Sequence, residues 1–216
     1  MRFSRSLPAS VSAAALFALA GCSRADAQAP TKAPAPAAGV ATAVFAAGCF
    51  WCVEEAFEKT PGVVGAVSGY TGGRAANPTY KQVSAGGTGH YEAVQVRYDP
   101  ARVSYAQLLD VFWRNVDPLD AGGQFCDRGD SYKGAVFTAT PEQRRLAEAS
   151  KQKVAAKFRQ PVATPILVSS RFYPAEGYHQ DYYKTNSAKY RFYKWNCGRA
   201  QRLEALWGEP AGKPAR

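Results

Sequence analysis

Two cysteines three residues apart, Cys49 and Cys52 in Gly48-Cys49-Phe50-Trp51-Cys52, are the residues of this chain best suited to covalent chemistry. A thiol where a strand hands over to a helix lies among backbone N–H groups and at the positive end of the helix dipole, which favours the thiolate. Cys52 follows about one helical turn later, so its sulfur can face that of Cys49. Such a pair can be a redox dithiol, half of a zinc site, a structural disulfide or two inert buried thiols. Zinc needs two more ligands, and Cys126, Cys197, His90 and His179 supply no second tight pair, so no metal is expected. Spacing alone leaves the other readings open.

The surrounding pattern supplies the required strand and helix. Residues 43–47 form a short apolar run before Gly48, and residues 50–59 are helix formers stopped by Thr60-Pro61-Gly62. A β-branched strand is expected at 63–67, followed by a Gly-, Ser-, Thr- and Asn-rich stretch, 69–89, of a length often found in functional loops. Residues 93–98 alternate Val94, Val96 and Tyr98 with Gln95 and Arg97, as a half-exposed strand does. Ser104-Tyr105-Ala106-Gln107 is a capping box opening a helix with Leu108, Phe112 and Val116 on one face. A Gly/Asp-rich loop covers 117–130, and a strand is expected at 135–138. Thr140-Pro141-Glu142-Gln143 opens a second helix to about Phe158, and a strand follows at 166–168. The first six elements read βαββαβ. The expected fold class is α+β, a ferredoxin-like βαββαβ two-layer sandwich with a coil-rich C-terminal extension and a short last helix at 199–207.

Composition bounds the rest. With 46% hydrophobic, 20% charged and 12% aromatic residues over 216 positions, the chain is neither disordered nor collagen-like, and five cysteines are too few for a disulfide-stapled mini-protein. Arg2, Arg5 and the apolar stretch 11–20 make residues 1–21 a signal peptide. It closes on Leu19-Ala20-Gly21-Cys22, which resembles a lipobox, with Cys22 as the acylated residue. The alternative is cleavage after Ala25-Asp26-Ala27, with Cys22 lost. Ser23 in place of Asp after the cysteine fits sorting to the outer membrane, so the expected location is the cell envelope, on the periplasmic face. Residues 22–42 read as a lipidated Ala/Pro linker, 43–208 as one domain and 209–216 as a disordered tail. The formal charge of +10 becomes +8 without Arg2 and Arg5 and is spread along the chain. That describes a solvated basic surface rather than a nucleic-acid site, and the membrane would be met only through the lipid.

Gly48-Cys49-Phe50-Trp51 resembles the active-site motif of the peptide methionine sulfoxide reductase A family. Gly69-Tyr70-Thr71-Gly72-Gly73, Asn77-Pro78-Thr79-Tyr80, Thr88-Gly89-His90-Tyr91-Glu92 and Tyr98-Asp99-Pro100 follow in that family's order. Asp127-Arg128-Gly129, Tyr132 and Tyr178-His179-Gln180-Asp181-Tyr182 complete the set, which spans about 43–207. The resemblance implies reduction of methionine S-sulfoxide, free or in proteins. Cys49 matches the nucleophile that becomes a sulfenic acid, and Glu92 the acid acting on the sulfoxide oxygen. Tyr80 and Tyr132 match the phenols that hydrogen-bond that oxygen, Asp127 the supporting carboxylate, and Phe50 and Trp51 the walls around the substrate methyl group. No bound cofactor is implied. The partners implied are oxidised methionine-containing proteins and an external dithiol reductant, periplasmic and thioredoxin-like, acting on a monomer.

Two positions depart from the family's commoner pattern. Cys52 stands where Gly is usual and is ranked first to resolve the sulfenic acid, ahead of Cys197 and then Cys126. Asp130-Ser131 stands before Tyr132 where Thr-Gln is commoner, which bears on peptide contacts rather than on sulfur chemistry. Taken singly, Glu92 reads as a solvated edge charge, Asp127 as a turn former and the aromatics as core. Two other functions compete. One is a thioredoxin-like thiol–disulfide oxidoreductase, with Thr164-Pro165 at that fold's cis-proline position; the other is a basic, surface-anchored binding lipoprotein.

Overall fold

The computed structural model describes residues 39–208. The expected signal peptide, Cys22, most of the linker and the tail lie outside the described residues. In chain order the elements are β1 (Ala41–Ala47), α1 (Phe50–Glu58), β2 (Val63–Thr71), α2 (Tyr80–Ala85), β3 (Tyr91–Tyr98) and α3 (Tyr105–Trp113). A small ribbon, β4 (Gly123–Gln124) and β5 (Asp127–Arg128), precedes β6 (Gly134–Thr138), α4 (Pro141–Phe158), β7 (Ile166–Val168) and β8 (Tyr173–Pro174). The described chain closes with α5 (Tyr182–Thr185), α6 (Ser187–Asn196) and α7 (Arg199–Trp207). The fold is α+β, with a mixed six-stranded sheet ordered β7-β6-β1-β3-β2-β8. Neighbours run antiparallel except β6 and β7, which are parallel and joined by α4.

Strand parity decides which residues meet the helices. On β1, Ala43, Phe45 and Ala47 join the main core with Phe50, Val53 and Phe57 of α1 and Leu108, Leu109 and Phe112 of α3. On β3, Val94, Val96 and Tyr98 face the same way, and the two-residue period puts Glu92 on that face too. The opposite face carries a smaller cluster of Ala46, Ala93, Ala135 and Phe137. Phe45 is fully buried and stacks on Phe57 at 4.9 Å and Phe112 at 5.4 Å. Phe45→Ala is expected to cost about 3–5 kcal/mol through lost burial and an unfilled cavity. Urea unfolding measures it, as a lower midpoint at unchanged slope.

Four expectations about elements change. The strand β1 begins at Ala41, inside the expected linker, because Ala41 pairs with Tyr98. The long Gly-rich loop starts late, since β2 continues to Thr71 paired with Tyr91, and it contains α2. That helix of six residues shows no apolar period, but Thr79 and Gln82 close a capping box around its first turn. The third helix stops at Trp113, although Val116 remains fully buried. The C-terminal extension is helical rather than coil-rich. Its aromatic residues are mediocre helix formers and its helices are short, so docking on α1 adds stability that propensity alone lacks. Tyr190 Oη and Lys194 Nζ both donate to Glu55 at 2.5 Å, and buried Arg199 donates to the Ala47 and Asn115 carbonyls.

Candidate active site

Gly48 makes the turn from β1 into α1 with φ +80°, and a Cβ there would lie 2.6 Å from the Gln124 Cβ. Both facts favour glycine. Cys49 occupies the N-cap position of α1, with no side-chain capping bond. The Phe50 N–H, a donor that a helix start leaves without an internal partner, is accepted by Glu92 Oε2 at 3.1 Å. The helix start that holds the thiol is thereby seated on the carboxyl group. Cys49 and Cys52 are both free thiols, 5% and 4% exposed, and they hydrogen-bond to each other.

Glu92, 2% exposed, is not a solvated edge charge. Burial, helped by the nearby Asp127 and Cys52, pushes its carboxyl up to about 8 despite the Phe50 N–H. At neutral pH it therefore holds a proton. Tyr132 hydrogen-bonds Glu92 and also Tyr80, so the three sequence-expected oxygen ligands form one chain. Burial and the Glu92 charge raise both phenols, which remain donors. Tyr80 is fixed through its backbone, since its N–H donates to Glu176 Oε1 at 2.8 Å while Tyr70 Oη donates to Oε2 at 2.8 Å.

The apolar wall is an aromatic stack. The Phe50 ring lies 6.4 Å from Tyr80 and 5.0 Å from His179, and Trp51 lies flat on Tyr182 at 3.8 Å. Trp51 Nε1 donates to His179 Nδ1 at 3.1 Å. Burial lowers His179 to about 4, so it is a neutral orienting group. Tyr193 meets the Trp51 ring edge-on at 5.8 Å, donates from Oη to Asp127 Oδ2 at 2.5 Å and hydrogen-bonds Cys49. Asp127, raised by burial, thus acts on the thiol through Tyr193.

Tyr193, Tyr182 and Glu176 were not singled out as site residues. The i, i+3 spacing of Tyr190 and Tyr193 was the available signal, since both turn inward on α6 while Phe192 and Trp195 face solvent. Cys126 and Cys197 form a disulfide with each other. It clips the turn between β4 and β5 to the end of α6, and so holds Asp127 beside Tyr193. In this structure neither of these two resolving candidates is a free thiol; Cys52 is. Of the remaining acidic groups, Glu54, Glu58 and Asp181 lie within reach of one another. Their oxygens take bonds from Ser68, the Asp181 N–H, Tyr183 and Lys184, and none faces the thiols' chemistry.

A family model described as "Peptide methionine sulfoxide reductase" matches residues 41–211. The chain belongs to this family. The reductase MsrA of Bacillus subtilis is 50% identical over 168 residues, covering 77% of this chain and 95% of the relative. Among solved structures, methionine sulfoxide reductase A of Corynebacterium diphtheriae superposes with TM-score 0.63 at 34% identity, covering 69% of this chain and 76% of its own. Reduced Mxr1 of Saccharomyces cerevisiae superposes with TM-score 0.68 at 29% identity, covering 71% and 90%. The chain is an enzyme of the peptide methionine sulfoxide reductase A kind, which sets aside the thioredoxin-like and binding-lipoprotein alternatives. Thr164–Pro165 is trans, and no peptide bond among the described residues is cis.

For a reductase of this family, the charge on the thiol pair matters most. The helix start favours a thiolate at Cys49, and burial opposes it. Burial, then the hydrogen bond and charge of Cys52 and the charge of Glu92, push Cys49 up. The hydrogen bond from Cys49, with Arg199, Tyr190 and Lys194 beside it, holds Cys52 down to about 6 against burial. One negative charge therefore belongs to the pair, opposed at Cys49 by burial and favoured at Cys52 by its cationic and hydrogen-bonding neighbours. With Glu92 as the expected acid and the thiol pair as the expected nucleophile, activity needs the pair's charge, with Cys52 held down to about 6, and the Glu92 proton, present below about 8. The pH profile of kcat/KM is expected to be bell-shaped between those limits. A rate still rising through pH 9 would contradict it.

Proposed function

We propose that this reductase acts on methionine S-sulfoxide, free and peptide-bound, with Cys49 as nucleophile, Glu92 as acid and Cys52 as the resolving thiol. Cys49 Sγ attacks the sulfoxide sulfur and its proton passes to the Cys52 thiolate. Glu92 protonates the oxygen, which passes from the substrate sulfur to Cys49 Sγ as the bond between the two sulfurs breaks, giving methionine and a sulfenic acid. Tyr80 and Tyr132 hold that oxygen, and Phe50 and Trp51 enclose the methyl group. Cys52 then attacks Cys49 Sγ, and the hydroxyl leaves as water with a proton, which closes a Cys49–Cys52 disulfide. The observation that carries this reading is the Phe50 N–H bonded to buried Glu92, which puts a protonated acid against the helix start bearing both thiols.

An external thioredoxin-like dithiol is the proposed reductant for that disulfide. The yeast relative Mxr1 has also been solved in complex with Trx2, at 21% identity to this chain. The Leu19-Ala20-Gly21-Cys22 motif supports a lipid anchor at Cys22 and a repair role on oxidised envelope proteins. Strand order β6-β1-β3-β2, with α1 and α3 as its crossovers, supports the ferredoxin-like reading of the domain. Steady-state assays with dithiothreitol and the separated epimers test the reaction. Turnover of the S epimer and not the R epimer is expected, and equal rates on both would refute the substrate assignment.

A further inference from the structure

A cavity of about 510 Å³ opens on a different stripe of α1 from the sulfoxide site. Cys52, Glu55, Ala56 and Lys59 form its floor, while Cys49, Glu92, Tyr80 and Tyr132 are not part of its lining. Cys52, and not Cys49, therefore lines this cavity. The cavity's size suits a small molecule rather than a protein segment.

Its walls are cationic. Lys59, Arg102, Arg114, Lys194 and Arg199 line it, against the carboxylates Glu55 and Asp110. Glu55 is shared by two ammonium groups, at 2.7 Å from Lys59 and 2.5 Å from Lys194. Arg199 is buried; its guanidinium donates to the carbonyls of Ala47 and Asn115, lies over the Phe125 ring at 4.5 Å and sets its charge beside Cys52. Arg102 is exposed and has no ion pair among the described residues. Cationic side chains that outnumber the carboxylates, with an exposed one at the rim, favour an anionic guest.

We propose that this cavity binds a small thiol bearing carboxylates, and that this thiol serves as a second electron donor, beside the thioredoxin-like dithiol, by attack on Cys52. The inference rests on Cys52 being the resolving residue. The thiolate approaches Cys52 Sγ from the cavity, a new sulfur–sulfur bond forms, and the electron pair of the Cys49–Cys52 bond leaves with Cys49 Sγ, which takes up a proton. A second thiolate attacks the thiol's own sulfur in the mixed disulfide, and Cys52 departs as its thiolate. Two thiols are thereby oxidised to one external disulfide, and one protein disulfide is reduced to two cysteines. In the first displacement access decides, since Cys52 and not Cys49 lines the cavity; in the second, the neighbours that hold Cys52 down make it a good leaving thiolate.

The test oxidises the full-length chain with one equivalent of methionine S-sulfoxide, then adds glutathione or the uncharged 2-mercaptoethanol. Mass spectrometry follows the cysteine states. Glutathione reduction is expected to saturate with concentration and to pass through a mixed disulfide on Cys52. Arg102→Glu is expected to lower the glutathione rate relative to 2-mercaptoethanol on the order of tenfold. Strictly linear dependence on both thiols, with the ratio unmoved by Arg102→Glu, would overturn the proposal, as would a mixed disulfide on Cys49. If no Cys49–Cys52 bond forms before thiol is added, the resolving role of Cys52 fails and this proposal fails with it. If the bond forms but glutathione shows no preference, the proposal alone fails.

Discussion

Cys49→Ser is expected to lower kcat/KM for methionine S-sulfoxide on the order of 10⁴-fold or more, about 5.5 kcal/mol of transition-state stabilisation. A serine hydroxyl fits the N-cap position of α1, so the fold should persist. Its oxygen is a far weaker nucleophile toward sulfur, and the Cys52 thiolate that can share a proton with a thiol cannot ionise an alcohol appreciably. The same variant also loses the sulfur from which Cys52 could displace water. Initial rates with dithiothreitol, alongside an unchanged circular dichroism spectrum, measure the loss. A variant within tenfold of wild type would remove Cys49 from the mechanism.

Glu92→Gln is expected to cost about 10²–10⁴-fold. The amide oxygen can still accept from the Phe50 N–H, so the helix start stays seated while the transferable proton is gone. Tyr80 and Tyr132 remain to hydrogen-bond the sulfoxide oxygen, which is why some activity should persist. The diagnostic change is in the pH profile. The fall above about 8 belongs to Glu92 and should disappear in the variant, while the rise near 6 belongs to the thiol pair and should stay. A variant that kept the alkaline fall would assign that proton to another group.

The parts that local chemistry dictates were legible in the sequence. The Ser104 capping box starts α3 as expected, the Thr140-Pro141 start holds for α4, and α7 falls at Arg199–Trp207. Glu92 lies on the core face because strand parity aligns it with Val94 and Val96, although taken singly the residue suggests solvent. What was not legible depends on contacts between distant segments. The helix α6 exists because Tyr190 and Lys194 meet Glu55, and no propensity in 187–196 announces that. Tyr193 gains its place from Asp127, 66 residues away, and Trp51. The pairing of Cys126 with Cys197 spans 71 residues, and a count of cysteines could not choose it over a bond to Cys49. The charge on the thiol pair was not legible for a related reason. The helix dipole acts locally and is visible in the sequence, whereas the burial that outweighs it at Cys49 is made by the whole fold.

One measurement tests the central claim most directly. The full-length chain, with Cys49 and Cys52 reduced and no reductant remaining, is mixed with excess methionine S-sulfoxide and quenched for peptide mapping. A burst of one methionine per chain is expected, with a Cys49–Cys52 disulfide beside an unchanged Cys126–Cys197 bond. No burst, or a bond joining Cys49 to Cys197 with Cys52 left as a free thiol, would contradict it.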